Sequence, residues 1–125
     1  MSRRLAVTLL GLAVFLLSGS AIAHARLVAS IPADKAEGAA PHAIQLTFSE
    51  ALMPQFSGAD VVITAMPGMT MAPAKVATTV ATGTDGQTLV ITPTRPLTRG
   101  SYRVDWHVVS QDTHAVKGSF TFEVK

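Results

Sequence analysis

Leu97-Thr98-Arg99-Gly100-Ser101-Tyr102-Arg103-Val104-Asp105-Trp106-His107-Val108-Val109 carries the alternation that decides the fold. Tyr102, Val104, Trp106 and Val108 fall on one face, while Arg103, Asp105 and His107 fall on the other. That period of two is the mark of a half-buried β-strand. Ile44, Leu46 and Phe48 repeat it, with Gln45 and Thr47 opposite. Around these two segments, short β-rich runs recur between Gly, Pro, Ser and Asp punctuation. They place strands near Arg26–Ser30, Ala43–Phe48, Asp60–Ala65, Lys75–Thr82, Thr88–Thr92, Ser101–Val109 and Ser119–Val124. Pro32–Pro41 and Met66–Pro73 are left as the long connections. No stretch after residue 23 has the pattern of a long amphipathic helix.

About seven short strands in a chain of this size predict an all-β fold, an antiparallel sandwich or Greek-key barrel. Tyr102, just after Leu97-Thr98-Arg99-Gly100-Ser101, stands where immunoglobulin-like folds carry a corner tyrosine. Its hydroxyl is expected to bond upstream backbone while the ring packs inward.

The first 23 residues read differently. Arg3 and Arg4 precede an apolar run from Leu5 to Leu17, and Ala21-Ile22-Ala23 has the small-x-small form that a signal peptidase cuts. The run is shorter than the ~20 residues of a membrane span, which favours a cleaved export signal over a retained anchor. Cleavage after Ala23 leaves 102 residues, 24–125, enough for one domain with one core. Arg3 and Arg4 leave with the signal, so the formal charge of +2 becomes eight basic against eight acidic residues. A neutral domain gives no electrostatic case for nucleic acid or anionic lipid. The chain has no cysteine. An exported domain without disulfides relies on its apolar core, and any soft metal site in it must use methionine sulfur.

Cleavage also makes His24 the first residue. Its free α-amine and imidazole Nδ1 can then close a six-membered chelate ring on a metal ion, which no internal histidine can do. Ser110-Gln111-Asp112-Thr113-His114 offers a second imidazole, two residues from a carboxylate; an extended backbone would put both on one side. Glu50 ends the second strand beyond its apolar run and is expected at a rim. An amine, two imidazoles and one or two carboxylates suit Cu(II) in tetragonal geometry. Each piece also has a plainer reading: Asp-Thr-His as a turn with a solvated histidine, and Glu50 as an exposed strand-end charge. His107, on the outward face of its strand, and His42, in a connection, stay outside the set.

Met66-Pro67-Gly68-Met69-Thr70-Met71 packs three methionines into six residues, with Met53 nearby in sequence. Thioether sulfur prefers Cu(I), and Pro67 and Gly68 argue for a loop. Methionine also fills irregular gaps and forms adaptable surfaces, so spacing alone leaves the choice open.

Together these residues resemble the periplasmic copper-binding protein CopC family. The resemblance runs through His24-Ala25-Arg26-Leu27-Val28, Phe48-Ser49-Glu50, Thr64-Ala65-Met66-Pro67-Gly68-Met69, Val104-Asp105-Trp106 and Ser110-Gln111-Asp112-Thr113-His114. It implies a seven-stranded Greek-key β-barrel related to cupredoxin and immunoglobulin-like shapes. It also implies monomeric, non-enzymatic copper carriage in the periplasm, alongside an inner-membrane partner of the CopD type. The family's Cu(II) ligands carry over to His24, His114, Asp112 and Glu50. Its Cu(I) site carries over to Met66 and Met69 at the other end of the barrel. Met71 takes the place of the family's histidine, and Ile63 and Ala74 stand where further methionines are expected.

Two other functions bear on the same residues. An N-terminal histidine with a second histidine is similar to the histidine brace of copper-dependent polysaccharide monooxygenases, which needs exposed aromatics to stack on sugars. A copper-free immunoglobulin-like interaction module would hold no stoichiometric metal.

Overall fold

A computed structural model describes residues 24–125; the expected signal segment, residues 1–23, lies outside the described residues. Among the described residues, nine strands form in the order β1 Leu27–Ile31, β2 Ala36–Gly38, β3 Ile44–Phe48, β4 Gly58–Ala65, β5 Ala74–Val76, β6 Thr78–Thr82, β7 Thr88–Pro93, β8 Gly100–Val109 and β9 Ala115–Val124. A 3-10 turn, Pro54–Phe56, precedes β4. The strands make two sheets, ordered β1-β3-β7-β6 and β2-β9-β8-β4-β5, stacked as the expected all-β sandwich.

The alternation read from the sequence is the alternation of burial. Tyr102, Val104, Trp106 and Val108 of β8 are buried, as are Ile44, Leu46 and Phe48 of β3. Leu89 and Ile91 of β7 and Phe120, Phe122 and Val124 of β9 complete the layer between the sheets. Aromatic contacts cross this layer and also tie neighbouring strands. Phe48 meets Trp106 edge-on from the opposite sheet, with centroids 5.1 Å apart. Tyr102 stacks on Phe122 of the neighbouring strand at 5.3 Å. The Tyr102 hydroxyl donates to Thr98 O at 2.6 Å, so the corner expected at this tyrosine is formed.

The strand count exceeds the seven expected, for local reasons. The run Lys75–Thr82 divides at Ala77: β5 pairs with β4 in one sheet and β6 with β7 in the other. Ala77 O accepts instead from the Thr94 N–H, so the chain changes sheets there. The connection Pro32–Pro41 contains β2, which runs parallel to β9 and is the exception to antiparallel pairing. Lys35, at φ 65, turns the chain so that its N–H reaches Thr121 O, and Asp34 Oδ1 takes the Thr121 N–H. Finally, β9 begins at Ala115 rather than Ser119, because Gly118 pairs opposite Trp106. A Cβ on Gly118 would stand 2.8 Å from Trp106 Cε2, so only glycine lets the indole lie across the strand.

Register defines two ends. Gly58 of β4 pairs with His107 near the end of β8, and Ala65 pairs with Ser101 near its start. The ten residues of β8 span roughly 30 Å at about 3.3 Å per residue. The loop containing His114 leaves one end of the sandwich, and the methionine segment leaves the other.

Candidate metal centre

His24 is held in place by the neighbouring residues on its C-terminal side. Ala25 is buried in the core, fixing the chain one residue later. Ser49, just past β3, does the rest. Its N–H donates to Arg26 O at 2.9 Å, its Oγ accepts the Arg26 N–H at 2.9 Å, and the same Oγ donates to His24 O at 3.5 Å. The backbone of residues 24–26 is therefore bound before the ladder with β3 begins, while the His24 side chain stays exposed.

His114 closes the β8–β9 hairpin. Ser110 is buried, pairs with Leu52 and gives its N–H to His114 O at 3.1 Å. Thr113 adopts φ 72 and donates its N–H to Ser110 O. Asp112 Oδ1 accepts the Ser110 hydroxyl and, at 3.3 Å, the His114 N–H. The segment is thus a turn rather than the extended backbone considered from the sequence. The carboxylate and imidazole meet because the turn folds Asp112 back on His114, not through strand parity. The Ser110 hydroxyl is the main reason that the Asp112 carboxyl is lowered from 3.8 to about 2. It outweighs a smaller desolvation penalty, and the backbone N–H and imidazole of His114 add to it.

The two histidines come together. Their ring centroids lie 4.8 Å apart with planes 85° from each other. His114 Nδ1 lies 3.1 Å from Asp112 Oδ2, within ion-pair range. It makes no aligned hydrogen bond there and is buried without a hydrogen-bond partner. A buried ring nitrogen without a partner, beside an ionised carboxylate and a second imidazole, is a donor set that fits a cation better than it fits solvent.

Glu50 is less engaged. It stands at the same end and half-buried, because Ala51 O accepts the Gln111 N–H and Leu52 O accepts Gln111 Nε2. It makes no ion pair among the described residues. Among those residues, no three His, Asp or Glu side chains converge as a ready-made metal group. The site is a pair of imidazoles with one carboxylate beside the second, and Glu50 on the adjoining segment. Ser49 and Ser110, which hold the two histidines, received no role from the sequence; their partners lie far along the chain or inside the turn. His107 is exposed on β8, as expected, and His42 is exposed before β3.

At the other end, Met66-Pro67-Gly68-Met69 forms a tight turn with Met69 N–H on Met66 O at 3.1 Å and Gly68 at φ 70. Proline and then a left-handed glycine are the central residues of a type II turn. Met69 is 59% exposed, while Met66 and Met71 are half-buried.

Fold and site together describe a small β-sandwich with a pair of histidines at one end and an aspartate beside one of them. Residues 27–125 match the family model of the CopC domain, beginning three residues after His24. Copper resistance protein C of Xanthomonas campestris pv. juglandis is 50% identical, with 98% of this chain and 97% of that protein covered. Copper resistance protein C of Pseudomonas syringae pv. tomato is 56% identical over 88% and 87%. The crystal structure of PcoC, a methionine rich copper resistance protein from Escherichia coli, superposes with a TM-score of 0.77. It is 48% identical and covers 82% of this chain and 100% of that one. The chain belongs to the CopC family.

Proposed function

We propose that this protein is a periplasmic copper resistance protein that carries or buffers Cu(II) without catalysing a reaction. The export signal read in residues 1–23 supports the location, and the names of the relatives support the metal. The observation that carries the reading is the His24–His114 pair, 4.8 Å between centroids, with Asp112 on His114. Once the chain starts at His24, its amine and imidazole chelate Cu(II), His114 adds a nitrogen, and Asp112 serves as a ligand or orients the ring. Glu50, on the segment next to Ser49, is the fourth candidate. Met66, Met69 and Met71 are a separate candidate for Cu(I), and an inner-membrane protein of the CopD type is the proposed recipient. Tyr102 and Trp106, the aromatics that a sugar-oxidising reading would want on the surface, are buried, which favours carriage.

The test compares protein beginning at His24 with protein keeping one extra alanine before it. Cu(II) titration and EPR are expected to show a large loss of affinity and a changed spectrum on extension. Equal affinity and an unchanged spectrum would overturn the amine-chelate mechanism.

A further inference from the structure

We infer that Ser49 is a positioning residue for the metal, setting His24 through the backbone rather than touching the ion. This rests on the Cu(II) reading of His24 and deepens it. A first residue with a free amine is ordinarily the least ordered part of a domain. Its chelate can join a second imidazole only if the amine, the ring and His114 are brought to one place. Beyond Leu27, where pairing with Phe48 begins, the chain has two holds: the buried Ala25 and the Ser49 contacts. Ala25 fixes position but, as a methyl, not direction. Ser49 supplies direction through its hydroxyl, which takes the Arg26 N–H at 2.9 Å and gives its proton toward His24 O at 3.5 Å. The carbonyl of His24 belongs to the same residue as the amine and the ring, so orienting that peptide orients the chelate. Ser49 also adjoins Glu50, so one short segment aligns the N-terminal residue and presents the remaining carboxylate.

The hydroxyl is separable from the fold. The Ser49 N–H to Arg26 O bond is a backbone bond that survives substitution, so β1 keeps its place in the sheet. Ser110 does the corresponding work for Asp112 from the other sheet, but it is buried at 1% exposure and its loss would disturb the core. Ser49 is therefore the residue in which positioning can be tested without unfolding.

The experiment uses five proteins: those beginning at His24 or at an added alanine before it, each with Ser49 or with Ser49→Ala, and the His24-first protein with Ser49→Thr. Cu(II) affinity, the EPR spectrum and Tm are measured. In the His24-first background, Ser49→Ala is expected to weaken Cu(II) binding about tenfold, the scale of losing a residue that orients a metal ligand. The EPR spectrum should broaden or shift. In the alanine-extended background the amine chelate is already gone, and the same substitution should change affinity by no more than about twofold. Ser49→Thr, which keeps the hydroxyl, should bind within that twofold margin of the unsubstituted protein. Ser49→Ala binding like the unsubstituted His24-first protein overturns the role of Ser49 alone. An equal loss in both backgrounds also overturns it, because the effect would then not pass through His24. Extension without any loss of affinity overturns the chelate reading, and this inference with it.

Discussion

His24 and His114 stand nearly perpendicular, 4.8 Å between ring centroids, although one leads into β1 of the four-stranded sheet and the other into β9 of the five-stranded sheet. Neither ring depends on the other for its backbone position. His24 is set by Ala25 and Ser49, and His114 by the Ser110–Asp112 turn. Their only proposed common partner is the metal.

That independence predicts coupling in binding without coupling in stability. His24→Ala and His114→Ala should each weaken Cu(II) binding sharply, and the double variant should be much less than additive. The interaction energy should fall within about 0.5–3 kcal/mol, as for residues sharing one partner. The metal-free Tm values should come close to adding, short only by the edge-on contact of the two rings. Titration of the four proteins, with thermal melts in a chelator, checks both; additive binding losses would mean that the two histidines do not share one ion.

Binding should weaken progressively between about pH 8 and pH 5, as the metal competes with protons for an amine and imidazole nitrogens. The carboxylate does not set this range, because Asp112 is lowered to about 2 by the Ser110 hydroxyl and stays ionised throughout. Affinity measured at half-unit pH steps tests the assignment. A fall confined to below pH 3 would place the pH dependence on carboxylates instead.

The roughly 30 Å along β8 separates the two candidate sites. Replacing Met66, Met69 and Met71 with isoleucine should leave Cu(II) affinity unchanged within about twofold. It should remove any Cu(I) bound in the presence of reductant. A parallel loss of Cu(II) would contradict two independent ends.

Asp85 organises the turn between β6 and β7, accepting the Gln87 and Thr88 N–H groups and the Thr88 hydroxyl. The Thr88 hydroxyl first, then the backbone, hold its carboxyl below the ordinary 3.8. A lowered folded-state value means that stabilisation is present above 3.8 and is lost as pH falls through the folded value. Asp85→Ala should therefore lower Tm at neutral pH, and the gap to the unsubstituted protein should close in acid. Melts between pH 7 and pH 2 would show this; a gap that persists unchanged at pH 2 would refute the turn's dependence on the charge.

Gly118→Ala should cost about 1–3 kcal/mol by forcing a methyl into the Trp106 indole. Denaturant unfolding followed by Trp106 fluorescence measures it, and a neutral substitution would show that the indole has room to move.

Much of the fold was legible because burial follows side-chain type. Tyr102, Val104, Trp106 and Val108 announce their face by alternation, and the Tyr102 corner follows from its place at the start of that run, just after Leu97–Ser101. The elements that escaped are those made by backbone alone. Ala36-Glu37-Gly38 has no apolar period, and its pairing with β9 depends on a left-handed Lys35. The break at Ala77 is one carbonyl turning to Thr94.

The site divides in the same way. His24, Asp112 and His114 are marked by residue type, and the structure brings them together in pairs. Asp112 and His114 meet through a turn because Thr113 takes a left-handed conformation, which a β-branched residue seldom adopts. Ser49 carries no chemical mark, and the chain it orients is 23 residues earlier. Glu50 was expected at a rim and is there, yet nothing in its strand-end position says which way its carboxylate turns.

The two sheets share no strand, and apart from the segment around Leu52 that meets Ser110 and the crossing at Ala77 they face each other through side-chain packing. An ion gripped by one residue from each would be a clasp on the open end of the sandwich. Prising the layers apart would then require releasing the ion, so the lifetime of the folded molecule would lengthen with its load. Resistance to a protease would then rise with the fraction of molecules that hold an ion.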